Sequence, residues 1–431
     1  MLSPPSLVML LASLSLTFSV QAARIDPASY GYPITNAFEA TIGGTPLKFR
    51  GKVADDSDID QADYRLNLEA VRAQHMPDLF WNVETLPYRL AEQEGPAPLI
   101  FIIAGTGAAY SSGKPEFLKK LFYAAGYHVV QLSSPTSYDF ITAASTHATP
   151  GISTDDAQDL YRVMEAIKAK HSNLQVTSYN LTGYSLGALN AAFVSQIDAS
   201  KHSFNFKRVL MLNPPVNLLT SVGNLDKLSL VDLNLQGKPA SFNALFDRLA
   251  RYFKAKGRIV VDEALLFDLQ NSKHRLSTPQ MASLIGSSFR FSVADIVYTS
   301  DLINKRGLIT PLGIKMNYGT VLVPYFKKAA LCDFVCYAQQ QLLPLWQRSN
   351  SNGTLEQLNQ QVSLYRLENY LKANQNIAVM TNADDLILGP GDLSFLRRTF
   401  GERLTVYPLG GHCGNLDYRV NTDAMLEFFR G

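Results

Sequence analysis

The feature that most constrains this chain is a set of short strands that are apolar on both faces. Leu99-Ile100-Phe101-Ile102-Ile103, bounded by Pro98 and Gly105, has no polar alternate. A strand with one wet face alternates apolar with polar, so a continuous run implies cover on both sides. Strand signals recur at His128–Leu132, Val176–Leu181, Arg208–Leu212, Ile377–Met380 and Leu404–Tyr407. Helical patterns lie between them. From Ser153 to His171, Leu160, Val163, Met164 and Ile167 share one face, and Ser153 is the expected N-cap with Asp156 three residues on. Further helices are expected after Leu181 through about Ser195 and from Asn421 to Phe429. Strand and helix in alternation predict a mostly parallel sheet covered by helices, an α/β fold.

The rhythm breaks once, between Leu212 and Ile377. That stretch reads as helices at Phe242–Lys254, Ile259–Leu269, Thr278–Ser287, Val293–Ile303, Val321–Leu345 and Leu355–Leu371. Such an insertion predicts a large helical cap. The expected layout is a leader over 1–22, an N-terminal region over 23–98, a first core segment over 99–216, the cap over 217–375 and a second core segment over 376–431.

Of the 431 residues, 46% are apolar and 18% charged, which excludes a mainly disordered chain. Lys+Arg is 39 against 37 Asp+Glu, too even for a nucleic-acid footprint. The run Leu7–Val20 is apolar and uncharged, too short to span a bilayer, and Val20-Gln21-Ala22 follows. This predicts an export signal cleaved after Ala22 or Ala23, although residues 2–6 carry no Lys or Arg. An uncleaved anchor is the alternative. The mature chain has no later span, so a periplasmic or secreted protein is expected. The three cysteines, Cys332, Cys336 and Cys413, rule out a disulfide scaffold and a Cys-rich zinc site. Cys332 and Cys336 are either a short-range disulfide or two buried thiols. The acidic stretch Asp55–Asp60 lacks the Gly and distal Glu of a calcium loop and reads as a solvated loop. Asn180-Leu181-Thr182 and Asn352-Gly353-Thr354 are formal glycosylation acceptors, the first expected in a buried strand.

Gly183-Tyr184-Ser185-Leu186-Gly187 carries the chemistry. The five letters alone mean little. Their place between a strand and an Ala-rich helix means more, because small residues there permit a strained turn that lifts the serine oxygen above the sheet. The hydroxyl needs a base and a group to orient that base. His412, in Gly410-Gly411-His412-Cys413-Gly414, follows the last strand and is the expected base. His128, His171 and His202 read as packing or surface residues, His75 and His274 have no supporting context, and His147 is a loop residue that could line the site. The orienting acid is expected after Met380, where Asp385 is preferred and Asp384 is the alternative. The Gly-rich Ala104–Ala109 loop follows the first strong strand. It offers backbone N–H groups, and those of Thr106 and Leu186 are the expected oxyanion donors. No phosphate loop, zinc-type spacing or kinase motif occurs, so no metal or cofactor is expected.

In these pieces the chain resembles the α/β-hydrolase superfamily, its exported esterase and lipase-like branch in particular. The Gly105-Thr106-Gly107 loop, the Gly183–Gly187 elbow, Asn382–Leu388 and Gly410-Gly411-His412 carry the likeness, over about 99–216 and 376–431. The likeness implies an eight-stranded, mostly parallel sheet, a cap in the insertion and catalysis by Ser185, His412 and Asp385. The first loop departs from the pattern, reading Ala104-Gly105 where many members have His-Gly. The expected function is an exported serine hydrolase of carboxylic esters, with a small-molecule or lipid ester as substrate. Rivals are a thioesterase or peptidase with the same triad, or a non-catalytic envelope protein that keeps the fold. Val321–Phe326, Leu342–Trp346, Phe289, Phe291 and Tyr298 either bind an acyl chain or are ordinary core.

Overall fold

The computed structural model describes residues 23–25, 27–68, 76–80, 83–229 and 277–431. The expected leader, the two helices expected over 242–254 and 259–269, His75 and His274 lie outside them. Within them, nine strands form one sheet: β1 (Ala23–Arg24), β2 (Gln61–Leu66), β3 (Leu86–Ala91), β4 (Ala97–Ile103), β5 (His128–Leu132), β6 (Val176–Tyr184), β7 (Arg208–Leu212), β8 (Ile377–Asn382) and β9 (Leu404–Tyr407). The spatial order is β1-β9-β8-β7-β6-β4-β5-β3-β2. Neighbours from β5 through β9 to β1 run parallel, while β3 is antiparallel to both β5 and β2. Setting aside the two-residue β1, this is the expected mostly parallel, eight-stranded sheet.

The six anticipated strands are all present. β2 and β3 lie in residues 24–98, where the sequence offers only short strand-like pieces without definite bounds. β2 is an outer strand whose Ala62, Asp63 and Arg65 face water, and β3 carries Pro87 and Arg89.

The continuous apolar runs are explained by two layers. On β4, Leu99, Phe101 and Ile103 enter one apolar cluster with helices Ser153–Lys170 and Leu186–Lys201. Ile100 and Ile102 enter the other, beneath Gly113–Ala124 and Arg419–Arg430. β7 and β8 split in the same way, with Val209 and Val379 on one face and Leu210 and Met380 on the other. Side chains alternate across a strand, so a strand covered twice needs apolar residues at every position.

The described part of the insertion is helical and joins the same apolar cluster as the sheet, through Val293, Ile296, Tyr337 and Leu342 among others. Three expectations change here. The two helices expected around residues 278–303 are one continuous helix, Thr278–Asn304. The segment expected as one helix over 321–345 is broken into Val323–Ala329, Phe334–Tyr337, a π-helical turn and Leu343–Gln347. That expected over 355–371 is interrupted at Ser363, whose extended backbone ends Leu355–Val362. Ser153 is also not the N-cap of its helix. Ile152 holds that position, Asp156 accepts the Gly151 N–H, and the Ser153 hydroxyl donates to the Val362 carbonyl. The tertiary bond to Val362 takes the hydroxyl that a local cap would have used.

Candidate active site

Ser185 sits between the end of β6 and the start of helix Leu186–Lys201, with φ 55° and ψ −127°. A non-glycine residue rarely adopts this left-handed conformation, which costs of order 1–3 kcal/mol where the surroundings enforce it. The enforcement is visible. The Ser185 N–H donates to the Leu212 carbonyl at 2.9 Å, and the helix begins directly under β4. A side-chain carbon on Gly187 would lie 2.2 Å from the Ile103 carbonyl oxygen, so only glycine lets helix and strand approach this closely.

His412 reaches this oxygen from the loop after β9. Its Nε2 lies 2.8 Å from Ser185 Oγ, and its Nδ1 lies 3.0 and 3.1 Å from the two Asp385 oxygens. A carboxylate only accepts, so Nδ1 carries the hydrogen and Nε2 presents its lone pair to the serine hydroxyl. All three residues are buried. Burial pushes the His412 pKa down, but the adjacent Asp385 carboxylate outweighs it, and the net shift is above the usual 6.5.

Of the two neighbouring acids, Asp385 is the one on the imidazole. It also accepts from Asn213 Nδ2 at 2.8 Å and from the Ile387 N–H at 3.1 Å, which fix its plane. Asp384 instead accepts the N–H groups of Gly410 and Gly411, at 3.2 and 2.9 Å, and so shapes the loop that carries His412.

The Ala104–Ala109 loop lies against the elbow: a side-chain carbon on Gly105 would sit 3.2 Å from Ser185 Cβ. Gly107 N–H donates to Thr136 Oγ1 at 2.8 Å and Ala108 N–H to the Gly105 carbonyl at 3.0 Å. Among the described residues, the N–H groups of Thr106 and Leu186 meet no backbone acceptor; Leu186 follows Ser185 in the chain, and Thr106 follows the Gly105 that lies against it. The long helix Thr278–Asn304 closes over this loop, with Ser292 against Gly107.

Several supporting residues were not legible in the sequence. Thr41, on the helix Ala37–Gly43, accepts the His412 N–H at 2.9 Å and donates to the Ala37 carbonyl. Asn415 donates to Tyr30 Oη and Asn382 Oδ1, both at 2.7 Å, while Asn382 Nδ2 holds the Gly411 carbonyl. Cys413 is a buried free thiol with its sulfur 3.9 Å from His412 Nε2. Thr41 lies 371 residues from His412 and Tyr30 385 from Asn415, so no local pattern announces those two. An Asn beginning the turn after a strand, as at Asn213, was the only available hint.

The other described histidines stay away from this cluster. His147 is half-buried beside Asp155, His128 is buried against Gln93 and Gln175, His171 bonds Tyr88, and His202 lies near Asn205. Cys332 and Cys336 form a disulfide. Asn180 is buried in β6, as expected. Among the described residues no group of His, Cys, Asp and Glu is arranged to hold a metal, and no helix is long and apolar enough to cross a membrane.

No protein-family model matches the chain, and no curated protein sequence does. Solved structures similar to it include the esterase Est1E from Butyrivibrio proteoclasticus, 10% identical, TM-score 0.36, covering 80% of this chain and 93% of its own. The Pyrococcus furiosus esterase PF2001 is 10% identical, TM-score 0.40, covering 88% and 97%. The proline iminopeptidase of Mycobacterium smegmatis is 14% identical, TM-score 0.40, covering 80% and 94%. The chain's own topology is sufficient for the architecture. A mostly parallel sheet, a serine on a strained strand-to-helix turn at its carboxyl edge, and Ser185, Asp385 and His412 in that chain order make this an α/β-hydrolase fold.

Proposed function

We propose that this chain is a serine hydrolase of carboxylic esters that works through an acyl-enzyme. One observation carries the reading: Ser185 Oγ lies 2.8 Å from His412 Nε2, whose other nitrogen faces Asp385. His412 takes the Ser185 proton as Oγ bonds to the ester carbonyl carbon. The carbonyl electron pair moves to oxygen, and the N–H groups of Thr106 and Leu186 hold that charge. The pair returns, the carbon–alkoxy bond breaks, and His412 gives its proton to the departing alcohol. Water then repeats the sequence on the acyl-serine and releases the carboxylic acid. Each lost oxyanion donor raises the barrier by roughly 3 kcal/mol.

The site of action in this reading is outside the cytoplasm. The apolar leader Leu7–Val20 and the Cys332–Cys336 disulfide support it, since disulfides persist in oxidising compartments. Cell fractionation with N-terminal sequencing of the mature chain tests this part; a cytoplasmic protein beginning at Met1 contradicts it.

The activity test is hydrolysis of p-nitrophenyl esters of increasing chain length, with acyl-CoA and peptide-amide arms, beside Ser185→Ala. Ester turnover should fall by roughly 10³-fold or more in the variant. Equal turnover in both proteins would remove the enzymatic reading. Preference for the acyl-CoA or amide arm would move the substrate to a thioester or a peptide.

A further inference from the structure

The apolar stretch Val321–Val323 is not core. Leu312, Ile314, Tyr318, Val321, Leu322, Val323 and Leu331 are all exposed, Tyr318 at 87% and Val321 at 70%. Among the described residues, the single other large exposed hydrophobic is Leu47. Scattered exposed apolar residues are ordinary; concentration of nearly all of them in one short segment marks an interaction surface.

The segment is presented rather than loose. At its start the Asp301 carboxylate accepts the N–H groups of Leu308, Ile309 and Thr310. Met316 is buried midway, Ala329 and Ala330 are buried near the end, and the Cys332–Cys336 disulfide follows. On its inner side the Phe326 ring stacks on Phe291 of the long helix, one residue before the Ser292 that meets the Gly107 loop.

Charge indicates what covers it. Between Asp301 and Asp333 the chain has no acidic residue but carries Lys305, Arg306, Lys315, Lys327 and Lys328. Lys315, Lys327 and Lys328 are exposed in the same segment, Lys328 with its Nζ 3.4 Å from the Ile309 carbonyl. The whole chain is nearly neutral, so the positive charge is local. Protein interfaces are depleted in lysine. A lipid interface favours this mixture, with apolar side chains entering the acyl boundary and lysines meeting anionic headgroups.

We propose that Leu312–Leu331 docks this protein onto an anionic lipid surface. The proposal does not rest on the hydrolase reading, because Ser185→Ala should bind as the unaltered protein does.

The test is co-flotation of the purified mature chain with vesicles of phosphatidylglycerol and phosphatidylcholine, or of phosphatidylcholine alone, at low and high salt. Binding to the anionic vesicles should exceed binding to the neutral ones by about tenfold and weaken with salt. Tyr318→Asp with Val321→Asp should cut binding to both by about tenfold. Lys315→Glu with Lys328→Glu should cut only anionic binding, by a similar factor, and remove the salt dependence. Hydrolysis of a soluble short-chain ester and the thermal midpoint should stay as in the unaltered protein, which separates lost docking from lost folding. Failure of the unaltered protein to float overturns the proposal, as do variants that float like it. Sedimentation velocity showing a concentration-dependent dimer that the same variants abolish, without vesicle binding, would assign the surface to a second copy instead.

Discussion

Two turns bring the candidate site together, and they are held in opposite ways. The elbow at Gly183–Gly187 is held by backbone against backbone, with Ser185 N–H on the Leu212 carbonyl and Gly187 pressed on Ile103. The loop Gly410–Asn415 is held by side chains from elsewhere: Asp384, Asn382, Thr41 and, through Asn415, Tyr30. The elbow is a local device whose requirements are met by glycine. The histidine loop is a tertiary device whose requirements are met by distant partners. Substitutions in the first should break the fold, and substitutions around the second should mistune the chemistry while the fold persists.

The largest expected effect separates the two acids within the histidine system. Asp385→Asn should lower kcat on a soluble ester by roughly 10⁴-fold, because the amide leaves the imidazole in the wrong tautomer. Asp384→Asn touches the loop alone and should cost far less activity; steady-state kinetics on both decides. If the two losses are equal, the geometric division between them is wrong.

The elbow should respond in stability. Gly187→Ala forces a methyl carbon to within 2.2 Å of the Ile103 carbonyl oxygen, so strand and helix must part. A loss of about 3 kcal/mol or failure to accumulate folded protein is expected, read by denaturant unfolding. Unchanged stability would show that the elbow is not packed as described.

That contrast also explains what the sequence disclosed. Gly183, Ser185 and Gly187 are legible because their constraint is local: a strand, a sharp turn and a helix within one short stretch. β4, β7 and β8 are legible for the same kind of reason, since cover on both faces is written in their apolar runs, while β5, β6 and β9, with Gln131, Asn180 and Thr405, carry a weaker form of it. Thr41 supports His412 across a separation of 371 residues, and Asn213 supports Asp385 across 172, so neither has a local signature. β2 and β3 escape because an outer strand with Asp63 and Arg65 in water, paired with one bearing Pro87, lacks the apolar run that betrays the others. The unbroken helix Thr278–Asn304 is hidden because Ser287-Ser288 and Arg290 interrupt its apolar pattern, while packing overrides that weak local signal.

Protonation sharpens the comparison at a smaller scale. The reaction needs neutral His412, and the Asp385 carboxylate stabilises the charged form, so the folded-state pKa is raised above 6.5. kcat/KM should therefore rise with pH through a midpoint above 6.5, and residual activity of Asp385→Asn should rise through a lower one. The linked stability has the opposite sense: the His412 contribution is full below pH 6.5 and is lost as pH climbs through the raised pKa. A midpoint that does not move in Asp385→Asn contradicts the assigned cause.

The smallest expected effect is at Thr41. Thr41→Val removes the acceptor of the His412 N–H at the edge of the loop. It should destabilise the protein by about 1 kcal/mol and slow ester turnover by about tenfold or less. Gly411 beside it leaves no room for a larger residue: at φ 55°, a side-chain carbon there would lie 2.2 Å from the Ala37 carbonyl oxygen.

Whether Ser185 is an activated nucleophile can be asked directly with a fluorophosphonate probe and intact-mass analysis of the folded protein. One adduct, mapped to Ser185 and abolished in His412→Ala, is the predicted result. A folded protein that takes up no probe, or takes it at another residue, would contradict the account.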